Sequence, residues 1–223
     1  MGELAASIAH EVNQPLSAII TNGSACLRWL MGDSPNLEEA RETARRIIRD
    51  GKQASDVIAR IRALVRKTDS EKARLDINQT VQEVVNLTQH EAVQKGVALW
   101  TQLAGELPPV LGDRVQLQQV ILNLVMNGLE AMSSVAHRPR ELLVCSRQDE
   151  SDQVLVAVRD SGIGIDRENL EKIFDAFYTT KSQGMGMGLA ISRSIVENHG
   201  GRLWIVPNDG PGATFQFTLL KYH

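Results

Sequence analysis

Small and apolar residues recur at Ala5, Ala9, Val12, Leu16, Ile19, Gly23, Cys26 and Leu30, stepping alternately by four and three. This is the seam of a heptad repeat and predicts one long helix with a single buried stripe. His10 and Glu11 lie off that stripe. One residue turns a helix by about 100°, so the imidazole next to Ala9 should point away from the seam. A second seam follows at Ala40, Ala44, Ile47, Gly51, Ala54, Ile58, Ile61 and Val65. Between the two, Gly32 to Asn36 (G-D-S-P-N) reads as a turn, with Asn36 and Glu39 spaced as a helix N-cap and its N3 partner. Together they predict an antiparallel helical hairpin. Such a hairpin cannot bury both seams by itself, so a four-helix bundle in a homodimer is expected.

Arg66 to Lys72 is polar and aperiodic and reads as a linker. Beyond it the pattern changes. A short strand (75–77) is followed by a helix (78–94), a strand (97–103), a helix (114–132) and two strands (141–147 and 154–160). A glycine-rich loop, a helix (187–198) and a closing strand pair (203–206 and 214–219) complete the chain, the last two joined by the turn Asn208 to Gly212. The predicted fold class is α+β with two domains: residues 1–70 form the hairpin, and residues 71–223 form an α/β sandwich with a mixed sheet packed on helices.

Composition narrows the function classes. Aromatic residues make up only 4% of the 223 positions, so the core is aliphatic. A net charge of −3 provides no basic field for nucleic acid or anionic lipid. No apolar run approaches the roughly 20 residues that span a bilayer, so no membrane contact by this segment is expected. Cys26 and Cys145 are too few for a disulfide framework and fit small-hydrophobe roles in a reducing, cytoplasmic setting. The first seam is already in phase at Ala5, so a longer parent with a sensor upstream is expected, whether or not that parent is membrane-anchored.

Asn123 and Asn127 lie one turn apart on a single face of an otherwise apolar helix. Asparagine is a poor helix former, so the pair is either two satisfied buried amides or an oxygen source for a hard cation and phosphate. Asp160 to Gly164 (D-S-G-I-G) follows a strand, and Gly184 to Gly188 (G-M-G-M-G) opens a helix. Alternating glycines before a helix let phosphate approach bare backbone amides and the positive helix end. A single such loop is weak evidence. Two of them, with Asp160 heading one as an acceptor for an exocyclic amine, point to a nucleotide.

In chain order, His10 to Leu16 (H-E-V-N-Q-P-L), Gln119 to Asn127, Asp160 to Gly164, Phe174 to Lys181 (F-D-A-F-Y-T-T-K) and Gly184 to Leu189 resemble the H, N, G1, F and G2 boxes of bacterial sensor histidine kinases. The H-box form looks closest to the oxygen-sensing, nitrogen-fixation branch. The resemblance implies a dimerisation and histidine-phosphotransfer hairpin followed by a GHKL (Bergerat) ATP-binding domain. It further implies ATP and Mg2+ as cofactors and a response-regulator receiver domain as partner. His10 would take the γ-phosphoryl group while Glu11 orients the ring and accepts its proton. Asn127 matches the metal ligand, and Asn123 the polar residue one turn before it. Asp160 matches the adenine-binding aspartate. Gly162, Gly164, Gly184, Gly186, Gly188 and Leu189 belong to the boxes that shape the pocket and lid, with Phe174 and Phe177 at the lid's base and Lys181 near the phosphates.

Related ATPases that hydrolyse ATP carry a glutamate where this chain has Asn123, so water attack should be poor. Gly128 departs from the usual alanine, and Met185 and Met187 from threonine and leucine. Glu130 replaces a residue that is basic in several relatives, which shifts phosphate contact onto Lys181. Gln14 lies one turn from His10, either to position water for dephosphorylating a partner or as a plain solvated glutamine. The stretch around His10 is no zinc H-E-x-x-H helix, because its fifth position is Gln14. His199, before Gly200, reads as a helix C-terminal residue favoured by the dipole. The expected activity is autophosphorylation of His10 and transfer to an aspartate, possible phosphatase activity included; the alternative is a non-catalytic, nucleotide-binding docking module.

Overall fold

The computed structural model describes residues 2–31, 34–65, 72–149, 151–179, 186–208 and 210–222, with the side chains of 2–13, 52–53, 56–65 and 167 outside that description. The chain divides into two units, Met1–Lys67 and Thr68–His223.

The first unit is a hairpin of α1 (Gly2–Leu30) and α2 (Leu37–Val65). The backbone N–H of Glu39 donates to Asn36 Oδ1 at 3.2 Å, so Asn36 caps α2 as its spacing predicted. The helices run antiparallel: Cys26 Sγ reaches the Ala40 carbonyl at 3.4 Å, and Asn22 Nδ2 donates to Asp50 Oδ2 at 3.0 Å. Helix α1 continues through Pro15.

The buried stripe of α2 differs from the one read from its apolar residues. Ala40, Thr43, Asp50 and Ala54 are buried, whereas Ala44, Ile47 and Gly51 are half-exposed. An apolar pattern cannot see Asp50 as interior; the amide of Asn22 on one carboxylate oxygen and Arg49 Nε at 3.4 Å on the other offset the cost of removing it from water. On α1, Leu16 and Leu30 are exposed, and Ile20 and Leu27 join them, as does Ile48 on α2. A pair of helices covers only the inner half of each seam, and the remainder faces outward as a row of large aliphatics.

The second unit holds β1 (Ala73–Leu75), α3 (Ile77–Gln94), β2 (Ala98–Leu103), β3 (Val110–Gly112), α4 (Arg114–Ala131), β4 (Glu141–Gln148), β5 (Val154–Asp160), α5 (Gly188–Asn198), β6 (Leu203–Pro207) and β7 (Ala213–Leu219). Asp76 and Asp113 cap α3 and α4 by accepting from Asn78 N at 2.8 Å and Val115 N at 2.8 Å. The five-stranded sheet runs β2-β4-β5-β7-β6, with β2 parallel to β4 and the other neighbours antiparallel. Strand β5 is buried from Val154 to Val158, as a central strand should be. Leu117, Ile121, Leu124 and Leu129 of α4, Val81 of α3 and Val196 of α5 are buried together with Leu142, Val156 and Phe217 of the sheet.

The first strand lies two residues earlier than its apolar run suggested, because Asp76 ends it and Ile77 already belongs to α3. Its partner β3, three residues after two prolines, carries too little pattern to be read alone. They pair antiparallel from Ala73↔Gly112 to Leu75↔Val110.

His199 caps the C-terminus of α5, as its place before Gly200 predicted, but its ring does more than meet the dipole. It is buried, its Nε2 accepts from the Asp113 backbone N–H at 3.0 Å, and its Nδ1 faces the Ile195 carbonyl at 2.7 Å. One nitrogen must accept while the other donates, which fixes a neutral ring protonated on Nδ1. Burial pushes the imidazole pKa down; the Ile195 carbonyl opposes this, the charge of Lys72 adds to it, and Asp113 opposes it. With the folded pKa lowered, the contribution of His199 is complete above the ordinary histidine value and is lost as pH falls through it, because the unfolded chain takes up the proton first. The unfolding free energies of wild type and His199→Gln, measured by urea titration, should therefore converge as pH drops below about 6.5. A constant gap would contradict the neutral bridge.

Candidate functional site

Helix α4 crosses the end of β5, and that crossing builds the site. Asp160 pairs in register with Leu142 of β4. A Cβ on Gly128 would lie 2.5 Å from Leu142 Cδ1 and 3.4 Å from Asp160 Cβ. Gly128 therefore lets α4 sit close on the strand carrying Asp160, and alanine there would require a leucine methyl to shift.

Asp160 is 4% exposed. Its Oδ1 accepts from the Gly162 N–H at 2.8 Å. Burial pushes its carboxyl pKa up, against the Gly162 and Ala213 backbone N–H groups and the charge of Arg138. The carboxylate is thus desolvated but oriented, with acceptor capacity to spare. Gly162 can be no larger, since a Cβ there would come within 2.8 Å of the Ala131 carbonyl oxygen. Gly164 has φ +79° and lies against Gly212.

The other side of α4 meets α5. Asn123 Nδ2 donates to Ser192 Oγ at 3.0 Å, and a Cβ on Gly188 would fall 2.4 Å from Asn123 Oδ1. Asn123 is thereby seated on the first turn of α5, with Asn127 half-buried one turn further along α4. The two asparagines are not equivalent. Asn123 serves the junction of two helices, and its buried partner Ser192 carried no signal in the sequence.

Phe174 is buried edge-on to Phe215 at 6.5 Å between centroids, with the Arg193 guanidinium 5.6 Å from its ring. The Phe177 N–H donates to the Gly186 carbonyl at 3.1 Å, so the F box and the end of the second glycine loop are joined. Phe177 sits at φ 70°, a left-handed conformation that costs a non-glycine residue roughly 1–2 kcal/mol. Leu189 is half-buried in the first turn of α5.

Gln14 is on α1 and exposed. His10 and Glu11 are carried on the same helix, with side chains outside the described residues. Lys181, Gly184 and Met185 also lie outside the described residues.

The turn between β6 and β7, read from sequence only as a connection, closes the site. Asn208 Nδ2 donates to the Asp160 carbonyl at 3.1 Å, while its Oδ1 accepts from Thr214 Oγ1 at 2.6 Å. Gly212 has φ +93°, and a Cβ there would fall 1.9 Å from the Asp160 carbonyl oxygen. Gly212→Ala combines a backbone clash with a left-handed φ and should cost at least about 2 kcal/mol in urea unfolding, with ATP affinity falling alongside. A neutral result would mean the turn is not packed on Asp160.

Among the described residues, no group of three or more His, Cys, Asp or Glu side chains could hold a metal ion. The amide oxygen of Asn127 is a hard donor that, supplemented by phosphate and water, would suit magnesium.

A buried aspartate at a strand end, a glycine loop beside it and an asparagine helix packed on a second glycine loop define an ATP-binding domain. Residues 112–223 match the histidine kinase-, DNA gyrase B-, and HSP90-like ATPase family, and residues 1–70 match the His Kinase A (phospho-acceptor) domain. The chain belongs to the bacterial sensor histidine kinases of two-component systems, of which it is a catalytic core.

Sensor histidine kinase TmoS of Ectopseudomonas mendocina is 41% identical over 216 residues, which is 96% of this chain and 22% of TmoS. Sensor protein FixL of Bradyrhizobium diazoefficiens is 40% identical over 220 residues, 98% of this chain and 43% of FixL. The chain thus spans less than half the length of either relative. Near-equal identity to both establishes the family, not the branch. Among solved structures, the nucleotide-free catalytic domain of histidine kinase ThkA aligns with a TM-score of 0.60 at 34% identity, over 68% of this chain and 96% of that one. ThkA in complex with response regulator TrrA aligns with a TM-score of 0.73 at 27% identity, over 99% of this chain and 62% of that one. No described helix is long and apolar enough to cross a membrane.

Proposed function

We propose that this core autophosphorylates His10 from ATP and passes the phosphoryl group to an aspartate of a response-regulator receiver domain. The observation that carries the reading is the buried, backbone-oriented Asp160 at the end of β5, which keeps acceptor capacity for an exocyclic amine donor. The adenine amino group donates to its carboxylate. Gly162 and Gly164 let the ring approach the backbone, and Asn123 holds the first turn of α5 against α4. Asn127 serves as the protein ligand to Mg2+, whose contribution is to neutralise charge on the phosphates. Lys181 and the glycines at 184, 186 and 188 attend the phosphates, with Phe174 and Phe177 at the lid's base and Leu189 following the second glycine loop.

At the hairpin, neutral imidazole is a competent nucleophile near pH 7, and Glu11 accepts its proton. The bond from the γ-phosphorus to the bridging oxygen breaks, an N–P bond forms on His10, and ADP leaves. Gln14, exposed one turn away, would orient water for hydrolysis of the partner's phosphoaspartate, a separate phosphatase reaction that releases inorganic phosphate. The exposed aliphatics of α1 and α2, with Ile20 at 69%, support a homodimer through the hairpin, with a domain boundary near residue 70. The response regulator is inferred by analogy with the ThkA–TrrA complex. Unpaired Cys26 and Cys145 suit the cytoplasm.

The test is incubation of the purified chain with γ-labelled ATP and magnesium. Label on protein that is acid-labile and alkali-stable is expected. Its absence despite measured ATP binding would favour a docking module that uses nucleotide as a conformational ligand.

A further inference from the structure

The loop between α4 and β4 supports the adenine turn from behind. Ser161 Oγ donates to the Pro139 carbonyl at 3.0 Å and accepts from the Glu141 N–H at 2.9 Å. The loop is itself anchored, because Arg140 donates from Nε to the Val135 carbonyl at 2.7 Å and from Nη1 to the Lys95 carbonyl at 2.9 Å. From this fixed base Arg138 reaches outward, and its Nη2 donates to the Gly162 carbonyl at 2.5 Å.

That carbonyl belongs to the same planar peptide unit as the Ile163 N–H, which donates to the Ala131 carbonyl at 3.3 Å. Arg138 and Ala131 therefore hold one peptide plane from opposite ends. Gly162 lacks a Cβ and can rotate freely, so fixing the plane that follows it limits that rotation and helps keep the Gly162 N–H, in the preceding peptide unit, on Asp160 Oδ1. The Arg138 charge also opposes the burial that favours the neutral form of Asp160. Arg138 is exposed, so its removal leaves no cavity.

We propose that Arg138 is a positioning residue for nucleotide binding, pinning the Gly162–Ile163 peptide so that Asp160 presents its carboxylate to the adenine. This rests on the ATP-site reading above. It predicts a loss in affinity with little change in the rate at saturation, since the clamp stands at the base and not at the phosphates.

The test uses the full chain, with ATP binding measured by calorimetry and labelling rates taken across ATP concentrations. Arg138→Met should weaken ATP binding about five- to twentyfold, as expected for losing a charge-assisted hydrogen bond. The loss should appear in the half-saturating ATP concentration, and the nucleotide-free unfolding midpoint should stay where it is. Arg138→Lys, which keeps a cationic donor, should recover most of the affinity. Unchanged affinity in Arg138→Met overturns the proposal, and so does equal weakening in both variants with a lowered nucleotide-free midpoint, which would mark a merely structural arginine. Wild type that binds no ATP would instead refute the site reading itself.

Discussion

Replacing His10 by glutamine should reduce acid-labile label on the protein to background, a loss on the order of 10³ or more, the scale on which removing a nucleophile acts. Glutamine is a good helix former of similar reach, so α1 and the affinity for ATP should be unaffected. The prediction is sharp because His10 lies one position off the apolar seam of α1, where packing gives no reason for a histidine. Full labelling of the variant would assign the nucleophile elsewhere. Two of the other histidines are already engaged: His199 is buried with both ring nitrogens bonded, and His90 Nε2 faces Gln94 Nε2 at 2.9 Å on α3.

Asp160→Asn should weaken ATP binding by about 1–1.5 kcal/mol, roughly five- to tenfold, because a hydrogen bond to a charged acceptor gives way to one with a neutral amide. Calorimetric titration with ATP measures this directly. Stability should respond differently. Burial raises the folded-state pKa of Asp160, so the unfolded chain releases the proton first, and wild type loses stability as pH rises from the ordinary carboxylate value to the raised one. The asparagine variant carries no such cost and should gain on wild type across that window. A variant that binds ATP normally would remove Asp160 from the adenine site. One whose stability tracks wild type at every pH would show that the carboxylate is not desolvated.

Much of the fold was legible because its elements bury one clear face. Val154 to Val158 is a run of five apolar residues closed by Arg159 and Asp160, and the segment is β5 residue for residue. Helix α4 ends within one residue of the 114–132 read from sequence, and its buried Leu117, Ile121 and Leu124 fall at helical spacing. Where a polar group is interior by virtue of a partner, the pattern failed. Asp50 is bonded to Asn22, 28 residues away in the chain, and His199 to Asp113, 86 away. No local rule reaches across such separations.

The candidate site divides the same way. The boxes around His10, Asn127, Asp160 and Gly186 could be read because phosphate and adenine chemistry demands particular residue types at fixed spacing, which chain order preserves. What encloses Asp160 could not. Asn208 and Gly212 read as turn residues, and Ser192 and Arg138 carried no signal at all.

From sequence alone came the family, the helical hairpin, the mixed sheet and the identity of the chemical groups, because each follows from periodicity or from a short motif. Tertiary structure alone decided which helix face is interior, which of the paired asparagines supports a helix junction, and what fixes the adenine turn. Those depend on contacts between residues far apart in the chain, and burial, hydrogen bonding and close backbone approach exist only once the chain has brought them together.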